Sequence, residues 1–273
     1  MAEKVKVIIK YKDTVVKTNT DFLVRELDAE LKHVISSINA VIVDIPANKV
    51  GKIKLDPTVQ YIEYDQEAHI LGFKGEEIPH HQKRFMTLSQ TIPWGVQKIR
   101  ADQVWPSGNK GTGIKVGIVD TGIDYNHEDL KGNYKGGYNF VANTSDPFDD
   151  YGHGTHVAGI VAALDNDIGV VGVAPDAYLY AIKVLDSQGS GSYTNIISGL
   201  QWCLDNGMQI INMSFGGSSF SQALSDICDK LNNAGILLVA AAGNSGGSIG
   251  QDTIGYPAKF GSVMAIAATD SND

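Results

Sequence analysis

Three segments of the sequence place a polar side chain where a short apolar run ends or a helix begins. The first is GIKVGIVDTGID, in which the apolar run ends in Asp120 and breaks at Thr121 and Gly122. Groups at the carboxyl ends of parallel strands collect in one crevice. A carboxylate there is partly desolvated and can orient an imidazole and stabilise its cation. Asp120 can equally cap the following turn, so this motif alone leaves both roles open.

The second segment is YGHGTHVAGIVAAL, in which His153 lies between two glycines at the start of a predicted helix. The glycines would let a peptide backbone approach the imidazole. His153 and His156 are also close enough in sequence to suggest a metal pair. Zinc needs three or four ligands, and no Glu or Cys stands at a supporting spacing. We therefore interpret His156 as a residue of helix packing or a hydrogen-bond partner.

The third segment is LLVAAAGNSG, an apolar strand that ends in small residues and Asn244. Asn-Ser-Gly is a common turn sequence, and stabilising a turn is the usual role of such an amide. The same amide can donate a hydrogen bond to the oxyanion of a tetrahedral intermediate. Both roles are compatible with the sequence at this point.

These segments lie in a part of the chain, from Trp94 onward, where short apolar strands alternate with glycine-rich turns and amphipathic helices. This alternation predicts a parallel sheet with helices on both faces. The predicted strands are 114–120, 178–185, 210–214, 235–241 and 263–267.

Residues 1–71 have a different pattern, which predicts strand, helix, strand, helix and strand. Apolar residues alternate in 5–9, recur with a helical period in 22–31 and are strand-like again in 34–43. A small sheet with two helices on one face fits this order. Residues 72–88 show no sustained period, and we interpret them as an exposed linker.

The motifs VDTGID, HGTHVAGIVAAL, INMSFGG and AAAGNSG together resemble those of the subtilisin family of serine proteases. The likeness extends from about Gln90 to Asp273, and the order Asp before His is that of the family. The resemblance implies an α/β fold, a subtilisin-like parallel sheet with helices on both faces, incomplete at the C-terminus and preceded by a small α+β ferredoxin-like prodomain. It divides the chain into a prodomain (1–71), a linker with a maturation site (72–88) and the N-terminal part of a catalytic domain (89–273).

By this resemblance, Asp120 orients the imidazole, His153 is the general base and then the general acid, and Asn244 is an oxyanion donor. Protein or peptide substrates would add as a strand between two edges. The residues of the first edge are Gly189, Ser190, Gly191 and Tyr193, and those of the second are Ser214, Phe215 and Gly216. A roomy, uncharged pocket suited to a large apolar side chain is implied at Ala241, Ala242, Gly243 and Gly255.

The resemblance also implies a calcium site in the loop LDNDIGV, which follows the predicted His153 helix. All of its donors would be oxygens, as a hard cation requires. Asn166 would contribute its side chain, and Asp165 and Asp167 are interpreted as exposed neighbours. The full set of implied ligands is Gln90, Asp129, Leu164, Asn166, Ile168 and Val170.

Residues 1–71 are similar to the family's prodomain, which assists folding and then blocks the active site. The segment VQYIEYDQEAHIL resembles the part that lies in the cleft before cleavage. Leu71 would then occupy the specificity pocket, and the first autocleavage would follow it. The additional linker departs from the simplest family pattern, so cleavage near Leu88 is a rival prediction.

The family's nucleophilic serine lies in a Gly-Thr-Ser-Met-Ala string at a position beyond Asp273, and no such string occurs in the chain. We therefore expect the chain to be a serine endopeptidase zymogen whose Ser is absent from it, and to be inactive alone. The alternative is a catalytically inactive pseudoprotease or a peptide-binding regulatory fragment.

The composition of the 273 residues narrows the choice of partners. A net charge of −9 argues against nucleic acid as a partner, because binding phosphates needs a basic surface. No apolar run is long enough to span a membrane, and the first residues lack the core of a secretory signal. These features predict a cytoplasmic protein, or a secreted one whose signal has been removed. Cys203 and Cys228 have no metal or redox spacing and are expected to be buried.

Overall fold

The computed structural model describes residues 3–12, 17–71, 89–246, 252–270 and 272. The linker 72–88, and with it the predicted cleavage position at Leu88, lies outside these residues. Within the described ranges, no helix combines the length and the apolar character that crossing a bilayer would require.

The N-terminal unit is a four-stranded antiparallel sheet with strand order β2-β3-β1-β4. Its apolar cluster joins the inner face of the sheet to both helices, with Leu23 and Ile53 among the buried residues. The elements are β1 (Lys4–Tyr11), α1 (Lys17–Leu27), β2 (Glu30–Ile35), β3 (Ala40–Pro46), α2 (Val50–Ile53) and β4 (Val59–Tyr64), with 3-10 turns at Ser36–Ile38 and Ala47–Lys49. This is the predicted α+β arrangement.

One more strand is present in this unit than the sequence pattern indicated. The interval 34–43, predicted as one strand, is divided by the turn Ser36–Ile38, at whose end Asn39 has a left-handed backbone. Leu31, predicted in the first helix, lies in β2. Helix α1 ends at Leu27, and Asp28 has a positive φ that helical residues do not adopt.

The second unit contains a six-stranded, wholly parallel sheet with strand order β13-β12-β10-β6-β8-β7. Its strands are β6 (Lys115–Asp120), β7 (Tyr134–Asn139), β8 (Tyr178–Lys183), β10 (Ile210–Met213), β12 (Leu237–Ala241) and β13 (Met264–Ile266). The helices are α3 (Trp94–Lys98), α4 (His153–Ala162), α5 (Tyr193–Asp205) and α6 (Gln222–Asn233), with 3-10 turns at Ala101–Gln103 and Trp105–Ser107.

Helices cover both faces of this sheet, as predicted. On one face α4 packs on β6 and β8 through residues such as Ala158 and Ile118. On the other face α5 and α6 bury a larger cluster that includes Leu200 and Ile227. Cys203 and Cys228 are free and buried in this second cluster, as expected.

A third, three-stranded sheet joins the two units. Strand β5 (Glu67–Ile70) lies between β9 (Ser190–Ser192) and β11 (Phe215–Gly216) and runs antiparallel to both. The C-terminal end of the first unit is thereby held as a strand on the surface of the second.

Candidate active site

Asp120 and His153 meet at the carboxyl end of β6. Asp120 is the last residue of this buried strand and has no exposed surface. His153 is the first residue of α4, and its Nδ1 lies 2.7 Å from Asp120 Oδ1. The same carboxylate oxygen accepts a hydrogen bond from Thr121 N at 2.7 Å. A buried carboxylate in this position fixes the tautomer of the imidazole and stabilises its cation.

A second buried carboxylate, Asp149, connects the two elements that carry this pair. Its Oδ1 accepts hydrogen bonds from Thr121 Oγ1 at 2.8 Å and from Gly152 N at 2.8 Å. Its Oδ2 accepts from the backbone and the hydroxyl of Thr155, in the first turn of α4. Thr121 Oγ1 in turn accepts from Gly154 N at 2.9 Å. Asp149 therefore holds the end of β6 and the start of α4 in one hydrogen-bonded frame.

The charges around His153 favour its protonated form. Burial alone would lower its pKa, but the hydrogen bond to Asp120 and the charges of Asp120 and Asp149 outweigh burial and raise the pKa above the usual value. For Asp149, burial acts to raise the pKa, yet the hydrogen bonds from Gly152, Thr155 and Tyr151 together lower it. The lowered pKa of Asp149 and the raised pKa of His153 thus favour an ionised Asp149 carboxylate near an imidazole of increased basicity.

The segment of the chain that ends at Leu71 lies in the cleft formed by β9 and β11. Ile70 N donates to Gly189 O at 2.9 Å, and Leu71 N donates to Ser214 O at 3.2 Å. Strands at both predicted edges therefore pair with an extended segment of the same chain. The pairing continues where Tyr193 N donates to Gln66 O, although Tyr193 belongs to α5 and not to a strand.

Gly216, predicted as part of the second edge, lies next to Leu71, and the predicted pocket residue Gly255 lies against Gly216. A Cβ atom on Gly216 would come within 2.9 Å of Leu71 Cδ1, so the absence of a side chain there makes room for the leucine. Gly255 lies against Gly216 and Gly217, and Gly255 N donates to Ala242 O at 3.2 Å. Ala242 and Gly255 of the predicted pocket therefore adjoin each other, and Gly255 also adjoins the glycine that contacts Leu71.

Asn244 occupies the loop that follows β12 and is exposed. Strand β10 lies between β12 and β6, and the three strands are parallel. The carboxyl end of β12, which Asn244 follows, is therefore at the same edge of the sheet as Asp120. His156 is exposed on α4, so helix packing, one of the two roles predicted for it, is wrong.

Acidic residues of the N-terminal unit bind the starts of α5 and α6. Glu63 accepts hydrogen bonds from Gln222 N at 2.7 Å and from Ser221 Oγ at 2.7 Å. Asp65 accepts from Thr194 N at 3.0 Å and from its hydroxyl at 2.7 Å. Unpaired N–H groups and the helix dipole make a helix start a favourable place for a carboxylate. These contacts place the N-terminal unit firmly on the two helices.

The residues predicted to bind calcium lie together. The amide of Gln90 is directed at three oxygens, with Nε2 at 2.6 Å from Leu164 O, 3.2 Å from Val170 O and 3.5 Å from Asn166 Oδ1. Asp129 Oδ1 accepts from Asn166 Nδ2 at 3.1 Å. Exchanging the two atoms of the Gln90 amide would direct its oxygen toward the same three oxygens. Oxygen donors of this kind are those that calcium prefers.

The cluster contains one acidic side chain, Asp129, and its other donors are amides and carbonyls. In the described part of the chain, no group of three His, Cys, Asp or Glu side chains is arranged to hold a metal ion. Asp165 and Asp167 are exposed as predicted and line a surface cavity of about 500 Å³. Asp165 pairs there with Lys110 at 2.9 Å.

The fold and the Asp–His arrangement agree with the family to which the sequence matches. The model of the subtilase family matches residues 111–273, which is more than half of the chain. The chain therefore belongs to the subtilase family.

Individual relatives are subtilisins and related proteases. Subtilisin DY of Bacillus licheniformis is 57% identical over 184 residues, covering 67% of this chain and 66% of the relative. Subtilisin E of Bacillus subtilis (strain 168) is 43% identical over 237 residues, covering 86% and 57%. M-protease of Shouchella clausii (strain KSM-K16) is 41% identical over 248 residues, covering 91% and 59%. The chain thus spans less than two thirds of the length of these relatives.

Sequence reasoning missed two residues beside the Asp–His pair, Asp149 and Lys183. Lys183 is a cation within the apolar run YLYAIKVL, which is a signal of a buried charge with a specific partner. Asp149 stands four positions before His153, among exposed acidic neighbours, and nothing in its sequence context distinguishes it from them.

Proposed function

We propose that this chain is the prodomain and the Asp–His part of the catalytic domain of a serine endopeptidase. The observation that carries the proposal is the hydrogen bond between Asp120 and His153, at 2.7 Å, in a molecule whose own segment 67–71 is held as a peptide strand. Membership of the subtilase family supports the same activity.

In this mechanism Asp120 keeps the proton of His153 on Nδ1, which leaves Nε2 free to act as the base. Nε2 takes the proton of a serine hydroxyl while the serine oxygen attacks the peptide carbonyl. The imidazolium then gives that proton to the leaving amine as the C–N bond breaks. Asn244 donates a hydrogen bond to the oxyanion that forms between these steps.

The nucleophilic serine, in this proposal, comes from a segment beyond residue 273. Two observations support this. The relatives are longer than the matched region. Strand β13 also leaves Met264 and Ile266 52% and 47% exposed at the edge of the sheet, and apolar residues on a bare edge strand are typical of a surface that another segment covers.

The N-terminal unit, in the same proposal, inhibits the enzyme until it is cleaved. Segment 67–71 uses the backbone groups of β9 and β11 that a substrate would need. The contacts of Glu63 and Asp65 with α5 and α6 hold this segment in place.

Replacing His153 with Ala in the full-length protein tests the proposal. The variant should accumulate as unprocessed precursor and hydrolyse no peptide, whereas wild type should release the N-terminal unit. Mass spectrometry of the products distinguishes cleavage after Leu71 from cleavage after Leu88. His156→Ala removes an exposed imidazole from the same helix and should be processed normally. Normal processing of His153→Ala, or an inert wild type, would favour the pseudoprotease instead.

The proposal also includes a bound calcium ion. Its ligands would be the side chains of Gln90, Asp129 and Asn166 and the carbonyls of Leu164, Ile168 and Val170. Bound there, calcium would cross-link the segment around Gln90 to the loop after α4. Calcium at 100 times its Kd stabilises a protein by about 2.7 kcal/mol, or about 5–10 °C in Tm for a domain of this size. Chelation should therefore lower the Tm of wild type by about that amount and that of Asn166→Ala by much less. Asn206→Ala, at the exposed end of α5, should respond as wild type does, and an unchanged Tm in wild type would remove the site.

A further inference from the structure

Lys183 is a buried cation next to the Asp–His pair. It is the last residue of β8, and its side chain is 3% exposed. Its ammonium donates three hydrogen bonds, to Thr121 O at 2.6 Å, to Asp150 Oδ1 at 2.6 Å and to Leu185 O at 3.0 Å. All three protons of the ammonium are therefore used.

The three acceptors belong to three different parts of the site. Thr121 follows Asp120, and Thr121 N donates to the carboxylate that orients the imidazole. Asp150 precedes His153 in the loop that leads into α4. Leu185 lies on the path from β8 to β9, where Asp186 O accepts from Gly189 N and Asp186 N donates to Ser190 O. One ammonium thus joins the Asp120 loop, the His153 loop and the chain that leads to the peptide-binding edge.

Stability of the fold is a poor explanation for this arrangement. Desolvating an ammonium costs several kcal/mol, and apolar residues of similar volume often replace buried ion pairs at no cost in stability. The partner carboxylate of Asp150 is 51% exposed, which weakens the ion pair further. Two of the three acceptors are backbone carbonyls. Contacts of this kind fix the path of a backbone more than they add to its stability.

We propose that Lys183 is a positioning residue, which sets the geometry of the Asp120–His153 pair and of the peptide-binding edge through Thr121 O and Leu185 O. This inference depends on the proposed peptidase function. Without Lys183, the carbonyl of Thr121 loses its buried donor. The Thr121 hydroxyl still binds Asp149, but the backbone path of the loop after β6 is no longer fixed. The Asp120 carboxylate, which Thr121 N holds from the same loop, then loses its alignment with His153 Nδ1.

The pH profile separates positioning from a simple effect of charge. His153 faces the carboxylates of Asp120 and Asp149, and Asp150 pairs with Lys183 itself. Removing a nearby cation, with the geometry unchanged, would raise the pKa of His153. Losing the hydrogen bond to Asp120 would lower it, because burial is then opposed only by the charges of Asp120 and Asp149. The two explanations therefore predict opposite shifts of the acid limb of kcat/KM.

The test is Lys183→Met in the full-length enzyme, with the concentration of competent sites measured by titration with a serine-reactive phosphonate. We expect kcat per titrated site to fall about 10- to 100-fold, as for a small displacement of catalytic groups, and the acid limb to move to lower pH. Lys115→Met is the matched control. It removes a lysine from the opposite end of the neighbouring strand β6, where Nζ donates to Asn206 O, and should leave both values unchanged.

An unchanged kcat per titrated site, or an acid limb that moves to higher pH, overturns the inference. If Lys183→Met yields no titratable sites, Lys183→Gln, which keeps an N–H donor group without the charge, is measured in the same way and judged by the same two results. An inactive wild type would instead refute the proposed function, so the two failures are distinct.

Discussion

Strands β6 and β13 belong to one parallel sheet, yet their surroundings differ sharply. At the end of β6, Asp120 and Thr121 are wholly buried, and hydrogen bonds from two loops and a helix surround them. At β13, all three residues are exposed, and the loop after its neighbour β12 carries an exposed Asn244. The Asp–His half of the site is therefore fixed by contacts within the described residues. Asn244, the oxyanion donor of the proposed function, lies in an exposed loop instead.

The largest loss of activity should follow substitution of Asn244, which is the oxyanion donor in the proposed function. Asn244→Ala in the full-length enzyme should lower kcat by about 10²- to 10³-fold with little change in KM, which is the range known for loss of the oxyanion amide in subtilisin. Steady-state kinetics on a peptide substrate measures it. Asn232→Ala, in the exposed last turn of α6, is the matched control. If both substitutions lower kcat equally and only slightly, Asn244 has no catalytic role, and the catalytic groups are those at the end of β6.

A substitution at Asp149 tests whether the buried half is a single frame. Asp149→Ala leaves the hydroxyl of Thr121 and the amides of Gly152 and Thr155 without their acceptor. We expect the free energy of unfolding to fall by about 2–4 kcal/mol at pH 7. Asp146→Ala, in the exposed part of the same loop, should cost far less. Urea unfolding measures both, and equal costs would contradict the frame.

The pH dependence of that difference follows from the lowered pKa of Asp149. A carboxylate whose pKa is lower in the folded state stabilises the protein above its unfolded pKa, which is about 3.9. This stability is lost as the pH falls through the lower, folded value. The gap between wild type and Asp149→Ala should therefore be constant above about pH 5 and narrow below about pH 4. A gap that is independent of pH down to pH 2 would assign the effect to packing alone.

The smallest expected effect is a loss of stability on substituting an exposed residue of the edge strand β13. Ile266 and Ile160 are 47% and 53% exposed, one in β13 and the other on α4. If further chain covers β13 in the full-length protein, Ile266→Ser should destabilise it by about 1.5–3 kcal/mol, whereas Ile160→Ser should stay within about 0.5 kcal/mol. If thermal unfolding shows the same loss of stability for both variants, β13 remains exposed to solvent in the full-length protein.

Much of the sheet could be predicted from the sequence, because its central strands are continuous apolar runs. Strand β6 was expected at 114–120 and is Lys115–Asp120. Strand β7, with the sequence YKGGYN, was missed because its glycines interrupt any apolar pattern. A Cβ atom on Gly137 would lie 1.9 Å from Ala181 O, so the close approach of β7 to β8 requires the glycine that hides the strand.

The candidate site could be predicted only as far as its motifs extend. Asp120 and His153 stand in long, specific strings, and the structure brings them together. The roles of Asp149 and Lys183 depend on contacts between loops that are distant in sequence, such as that of Lys183 Nζ with Thr121 O. The division between β2 and β3 was missed because it depends on a single left-handed residue, Asn39, in a segment without Gly or Pro.

Leu71 N donates a hydrogen bond to Ser214 O. This bond limits which other peptides can bind in the place of segment 67–71. Proline has no N–H, and its ring occupies the space where that hydrogen would be. A peptide with proline at the position of Leu71 would leave the carbonyl of Ser214 without its donor and would push the two chains apart. A peptidase of the proposed function would therefore leave the bonds after proline intact, however exposed those bonds are.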